Sequence, residues 1–305
     1  MKLILALCVP LLFSSCAPKP EPVLEEATVV ARNASVRQKN SPTSRTLVTL
    51  NVGDKVDVLQ REENWYRIRH GEQLQGWMEE STLVTTENAA RIKQLAESSK
   101  SEPAQNTAVV HEEVNYRIEP GRSSAVIRKL DVGTKVEVLQ RATVPRPGSD
   151  SAFDVWLKVR TKNGEAGWVS KGLVDFDTPS ELEAYTEEMT YPAVKVVNKV
   201  EDSIAGTTNW YVVAERATGL NSMLDFDGIR VFTWNQKMHR YETAFRERGL
   251  RGVYPLEVGR DTKDNPTFRY YELDADDKTK TPHDYVMYGV VPRPLNSPPK
   301  PRKKK

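Results

Sequence analysis

The sequence predicts a mainly β protein, in which two small barrels joined by a short helical linker precede a β-rich C-terminal domain of the α+β class. Three observations lead to this prediction. A long segment recurs farther along the chain, both copies alternate apolar and charged residues, and the last third contains β-type segments separated by Gly, Asp and Asn turns. The 305 residues have room for such domains, and a formal net charge of +2 gives no reason to expect nucleic acid as a partner.

The N-terminus has the layout of an export signal. Lys2 is followed by an apolar run over residues 3–13, which is too short to cross a bilayer because a spanning helix needs about 20 residues. Residues 12–16 (LFSSC) resemble the lipobox of bacterial lipoproteins, with phenylalanine where that family usually has leucine. The resemblance implies cleavage before Cys16 and acylation of Cys16, for example with palmitate, which anchors the protein in a membrane. Ala17 implies the outer membrane, facing the periplasm, in a cell with two membranes; the alternative is a plain secretory signal with an incidental cysteine.

An internal repeat organises the first half of the chain. Residues 50–61 (LNVGDKVDVLQR) return as residues 130–141 (LDVGTKVEVLQR), 80 positions later. Farther along, Trp65 corresponds to Trp156 at an offset of 91, so the second copy contains an insertion of eleven residues. We expect this insertion to form a surface loop around residues 145–150, where Pro and Gly favour turns.

Both copies show the two-residue period of half-buried strands. In residues 55–58 and 135–138, the valines point to one face and the charged residues to the other. In residues 65–69 (WYRIR) and 156–160 (WLKVR), the aliphatic and tyrosine side chains take the inner face, so the tryptophans share the outer face with cations. The Asn-Gly pair at residues 163–164 predicts a tight hairpin turn.

The two copies resemble the bacterial SH3 family. That pattern has a small-residue-Val-Arg opening, matched at residues 35–37 and 115–117, then a Gly-Xaa-Lys-Val-Xaa-Val-Leu strand and a Trp-Xaa-Xaa-Val strand, and it closes with Gly-Trp-Val, matched at residues 76–78 and 167–169. The departures are Tyr116, Ile68, Met78 and the long loop of the second copy. The resemblance implies SH3-like barrels, here expected to have five or six strands each, that recognise cell-wall peptides or proline-containing segments, frequently beside a hydrolase.

The candidate ligand-binding residues are Trp65, Arg67, Trp77, Trp156, Lys158 and Trp168. In both copies the strand alternation puts a tryptophan beside a cation, which suits stacking of a peptide or glycan. Two weak sites on one chain gain avidity on a polymer. The alternative is that the tryptophans close barrels with little core of their own, while the charges are solvated. We expect Arg37 and Arg117 to hold turns.

These patterns predict the following division: signal peptide 1–15, tether 16–26, barrel 27–86, linker 87–105, barrel 106–176, C-terminal domain 178–291 and a disordered basic tail 292–305. The linker has a helical composition, and we expect it to be solvated. The C-terminal domain should begin with a capped helix near Pro179, followed by six strands within residues 193–291. Its dense aromatic residues either line a glycan-binding groove or pack the core of an antiparallel sheet.

The sequence predicts a binding protein without catalytic activity, cofactor or metal. Cys8 lies in the export signal and Cys16 is assigned to lipid, so no thiol remains for cysteine peptidase chemistry. The four histidines are too scattered for a zinc amidase. We expect the partners to be the membrane, through the lipid, and peptidoglycan or an envelope protein. The alternatives are a component of a wall-hydrolase system and a structural subunit of an envelope complex.

Overall fold

The computed structural model describes residues 21–146, 148, 152–217 and 223–295. Cys16, the signal peptide, most of the tether and the tail from residue 296 lie outside these residues. No helix within the described ranges is long and apolar enough to span a membrane.

The first barrel is a sheet of seven antiparallel strands in the order β3-β2-β6-β5-β4-β1-β7. The strands are β1 (Glu25–Val29), β2 (Ala34–Arg37), β3 (Thr46–Leu50), β4 (Lys55–Glu62), β5 (Trp65–His70), β6 (Leu74–Glu79) and β7 (Leu83–Thr85), with a 3-10 helix at Glu80–Thr82. As the alternation predicts, Tyr66 and Ile68 are buried in its core.

The second barrel repeats this topology in the order β10-β9-β13-β12-β11-β8-β14. Its strands are β8 (Asn106–Val110), β9 (Val114–Arg117), β10 (Val126–Leu130), β11 (Lys135–Pro145), β12 (Phe153–Thr161), β13 (Ala166–Ser170) and β14 (Val174–Phe176), with a 3-10 helix at Lys171–Leu173. The repeated segments match in detail, since each carries a register shift one residue before its Gln, at Gln60 and Gln140. Each sheet has seven strands, not five or six, because the short outer strands pair as well.

The insertion of the second barrel is mostly strand. It lengthens the β11–β12 hairpin, in which Ala142 pairs with Trp156 and Pro145 pairs with Phe153. The strand pairing therefore extends to residue 145 of the expected surface loop, and residues 147 and 149–151 lie outside the described residues. Pro145 is tolerated in a strand because it lies at the last pair, where a missing donor breaks no internal ladder.

The linker forms helix α1 (Thr86–Ser99), whose first turn is capped by the Thr85 hydroxyl accepting from the Asn88 amide. The expectation that this linker is solvated holds for one face of the helix but is wrong for the face that packs on the second barrel. Ile92 packs against the core of the second barrel, and α1 contacts β13. The polar residues after the helix also lie on the second barrel, as described below.

The C-terminal domain is a seven-stranded antiparallel meander in sequence order from β15 to β21. Its strands are β15 (Met189–Asp202), β16 (Gly206–Ala217), β17 (Phe226–Asn235), β18 (Arg240–Arg260), β19 (Pro266–Leu273), β20 (Lys280–Tyr288) and β21 (Val291–Pro294). The predicted capped helix is a 3-10 helix, Ser180–Tyr185, without a side-chain cap. Strand β21 also reaches into the segment expected to be a disordered tail.

Both faces of this sheet carry apolar side chains. On β16, Trp210 and Val212 belong to one buried cluster, whereas Tyr211 and Val213 belong to another, and Leu182 of the 3-10 helix covers the second. The described aromatic residues of this domain are mostly buried, which favours the core interpretation over a glycan-binding groove.

Gln105 joins the second barrel to the C-terminal domain. Its backbone amide donates to the Val138 carbonyl, and its carbonyl accepts from the Val194 amide at 2.9 Å. Its side-chain oxygen accepts from the buried Leu256 amide at 2.7 Å. One residue of the linker thus satisfies backbone groups on both sides of the domain boundary.

Candidate functional site: two tryptophan grooves

Each barrel has a groove beside the tryptophan of its central strand, Trp65 on β5 and Trp156 on β12. The first groove, of about 260 Å³, is bordered within its own barrel by Pro42, Asn64, Trp65, Glu79, Glu80 and Ser81. The second groove, of about 480 Å³, is bordered by Arg117, Arg122, Asp154, Trp156, Ser170, Gly172 and Leu173, together with Glu113, Val114, Asn115 and Lys129. The repeat maps Pro42 onto Arg122, Trp65 onto Trp156 and Ser81 onto Gly172. The two grooves therefore occupy the same place in the two barrels.

Trp65 and its neighbours lie as the strand alternation predicts. Trp65 and Arg67 point away from the core on β5, and Trp77 on β6 lies opposite Arg67. Arg67 donates to the Glu21 carboxylate at 2.8 Å and to the Gln75 side chain at 2.9 Å. Both tryptophans are half-buried, but only Trp65 borders the groove.

The equivalent face of the second barrel is covered. Lys158 donates to the Glu102 carboxylate at 2.6 Å and is only 5% exposed. Arg160 donates to the Ser99 carbonyl at 2.6 Å, so the linker lies across this face. The expectation that Lys158 is available to a ligand on an open face is therefore wrong, because the linker supplies its counter-charge.

The environments of Trp156 and Trp168 also differ from those expected. Trp156 is 4% exposed and borders the second groove, whereas Trp168 is half-buried, lies opposite Lys158 and does not border the groove. The role of each tryptophan in binding remains a prediction. The structure separates them into two that border grooves, Trp65 and Trp156, and two that do not.

The turn beside each groove is held by an arginine, as expected. Arg37 donates to the Ser44 carbonyl at 2.9 Å, and Arg117 donates to the carbonyl of Ser124, its equivalent. Arg117 also borders its groove, whereas Arg37 does not, and the sequence did not reveal this difference.

Ion pairs hold most of the charged lining in place. Arg122 and Arg146 donate to Asp154, which holds the pKa of that carboxyl below its usual value. Lys129 donates to Glu113 at 2.8 Å, and this bond raises the pKa of the ammonium group. Because these charges are paired, they shape the grooves without presenting a strong net charge.

Glu80 lies where the first groove meets the second barrel. Burial raises the pKa of its carboxyl, although the Val126 backbone and the Arg117 charge of the second barrel oppose this rise. Its carboxylate also lies 3.4 Å from the Tyr66 hydroxyl. Glu80 thus connects the two barrels, and no residue spacing in the sequence signalled that contact.

The grooves do not contain an evident metal site. Within the described parts of the chain, no group of three or more His, Cys, Asp or Glu side chains is arranged to hold a metal ion.

The fold and these grooves define a protein with two SH3-like barrels in tandem. A family model for the bacterial SH3 domain matches residues 32–84 and 112–175, so the chain contains two bacterial SH3 domains. The comparison with curated proteins gave no match.

Two solved structures align over most of the chain with little similarity. One is NlpC2 from Trichomonas vaginalis, at 13% identity and a TM-score of 0.20, covering 93% of this chain and 96% of that one. The other is an NlpC/P60 family protein from Bacillus cereus, at 13% identity and a TM-score of 0.18, covering 90% and 95%. Superpositions at these TM-scores do not establish a shared fold.

Proposed function

We propose that this protein is a non-catalytic, lipid-anchored binding protein of the cell envelope that holds peptidoglycan peptides in its tryptophan grooves. The observation that carries this proposal is the presence of equivalent grooves, each beside a tryptophan, in two bacterial SH3 domains. A polymer with repeated peptides suits a protein whose binding elements are weak individually, because linked contacts raise the overall affinity.

Retention on purified sacculi tests the binding. We expect Trp65→Ala to lower the retention of the full chain, since a lost stacking contact costs about 1–2 kcal/mol. Trp77→Ala is the matched control, because Trp77 is a half-buried tryptophan of the same barrel outside the groove. Circular dichroism should show that both variants are folded.

The outcomes separate the candidate functions. Equal retention of parent and Trp65→Ala would exclude the groove, and a larger loss in Trp77→Ala would move binding to the outer face. Absence of retention for the parent would favour an envelope protein as the partner. Release of soluble wall fragments by the protein would contradict the non-catalytic assignment.

The anchor is tested separately by fractionation. Cys16→Ser should release the protein from membranes, because it removes the proposed site of acylation. Cys8→Ser, in the apolar run of the export signal, is the control and should leave the protein membrane-bound. A Cys16→Ser protein that still sediments with salt-washed membranes would refute the anchor assignment.

A further inference from the structure

The two grooves border each other. Asn115 and Lys129, which belong to the second barrel, line the first groove as well as the second. Val126 of the second barrel also lines the first groove. The first barrel therefore does not complete its own groove, and the space beside Trp65 continues past two shared side chains to the space beside Trp156.

Contacts between the barrels hold the grooves in this arrangement. The Glu80 carboxylate interacts with the backbone of Val126 in the second barrel, and the 3-10 helix that contains Glu80 packs against β10. Arg91 of helix α1 also pairs with Glu119, in the turn beside the second groove. The relative position of the grooves is thus fixed by contacts on both sides of them.

We infer that the two grooves form one continuous site, which binds a single extended peptide and receives a carboxylate of that peptide beside Arg117 and Trp156. This inference rests on the proposed function. It differs from two independent sites in predicting one peptide for each chain. The cavities of about 260 and 480 Å³ together fall within the range of roughly 300–1,000 Å³ that is typical of small-ligand sites.

Two buried donors in the second groove support the position of the carboxylate. The Arg117 Nε and the Trp156 Nε1 are buried and have no hydrogen-bond partner among the described residues. Arg117 is 7% exposed and Trp156 is 4% exposed. Buried N–H groups are normally paired, and an unpaired one costs free energy that an acceptor from a ligand would offset.

The charges in the groove distinguish Arg117 from its neighbours. Arg122 is paired with Asp154 and Lys129 with Glu113. Arg117 donates to the Ser124 carbonyl and forms no ion pair within 4 Å among the described residues, so the Glu80 carboxylate acts on it only from a longer distance. A guanidinium group matches the geometry of a carboxylate. The Arg122 and Lys129 side chains are 75% and 45% exposed and already paired, so neither competes strongly with Arg117 for the carboxylate of a ligand.

Titration calorimetry of the full chain, purified in mild detergent, tests this inference. The probes are a cell-wall stem pentapeptide as the free acid and the same peptide as its C-terminal amide. We expect one free-acid peptide to bind per chain. Arg117→Gln should weaken that binding about ten- to hundredfold, as expected for loss of a hydrogen bond between charged groups, and should affect the amide less.

Arg37→Gln is the matched control. Arg37 makes the same bond to its turn, but it lies outside both grooves, so its replacement should leave the affinity near that of the parent. Trp65→Ala should weaken the same single binding event, although Trp65 belongs to the other barrel. Circular dichroism of all three variants checks that they fold.

Two peptides per chain, with Trp65→Ala removing only one, would overturn the continuous site. Equal effects of Arg117→Gln and Arg37→Gln, or equal losses for acid and amide, would overturn the position of the carboxylate. Retention of the parent on sacculi without binding of the stem peptide would refute this inference alone. Failure of the parent to bind either sacculi or peptide would refute the proposed function.

Discussion

The glycine of the Gly-Trp pair that closes each repeat allows a specific prediction about stability. A Cβ atom added at Gly167 would lie 2.6 Å from the Tyr116 ring and 2.9 Å from the Arg117 carbonyl oxygen. Tyr116 is fully buried, and its hydroxyl lies 3.0 Å from the Val159 and Glu165 carbonyl oxygens. Gly167→Ala should therefore push β9 away from β13 and displace the tyrosine.

The magnitude follows from these contacts. Overpacking a core costs about 1–3 kcal/mol, and weakening the Tyr116 hydrogen bond adds about 0.5–1.5 kcal/mol. We expect Gly167→Ala to lower the free energy of unfolding of the second barrel by about 2–4 kcal/mol. Gly172→Ala is the control in the same barrel, because its Cβ would approach no atom closer than 4.0 Å. It should leave stability unchanged or raise it by up to about 1 kcal/mol.

Urea denaturation measures the loss, and hydrogen exchange of the β12 and β13 amides assigns it to the second barrel. Gly76→Ala should destabilise the first barrel in the same way, since its Cβ would lie 2.5 Å from Val36. If the free energies of unfolding of Gly167→Ala and Gly172→Ala differ by less than about 0.5 kcal/mol, the close approach of the strands does not constrain the barrel.

Two further predictions concern the C-terminal domain. Hydrogen bonds from the Ala205 amide and the Trp234 indole hold the pKa of Asp202 well below its usual value, so its stabilising effect should be complete above about pH 4 and be lost as the pH falls. Thermal melts from pH 2 to 7 should show a smaller loss on acidification for Asp202→Asn than for the parent; equal slopes would contradict this. Gln105→Ala leaves the buried Leu256 amide without its acceptor and should cost about 1–3 kcal/mol, measured by urea denaturation. An unchanged urea midpoint would show that this bond does not stabilise the domain boundary.

The repeat made the barrels predictable from the sequence. The alternation in residues 55–58 and 135–138 assigned inner and outer faces correctly, because a period of two leaves little choice once one face is buried. The same logic placed Trp65 and Trp156 on corresponding positions. The Arg37 and Arg117 turns were also predictable, since the two arginines end the equivalent strands β2 and β9.

The surroundings of the grooves were not predictable in this way. Lys158 is buried by Glu102, which lies 56 positions earlier, and no local pattern encodes such a pair. Asn115 and Lys129 reach the first groove only through the docking of one barrel on the other. The first half of β18 carries many charged residues, and it is a strand because it pairs with β17 as far back as Arg240.

Because the linker covers a face of the second barrel, we expect the two copies to diverge differently in evolution. Trp65 with Arg67, and Trp156 with Lys158, began as the same two positions of a duplicated unit. Arg67 contacts Glu21, ahead of the first strand, whereas the buried Lys158 pairs with Glu102, whose side chain is 25% exposed. Substitutions at Arg67 can therefore be accepted one at a time, while a change at Glu102 requires a matching change at Lys158, since the Lys158 charge would otherwise be buried alone. Among related chains, the first copy should diversify at this position and the second should lose Glu102 only together with Lys158.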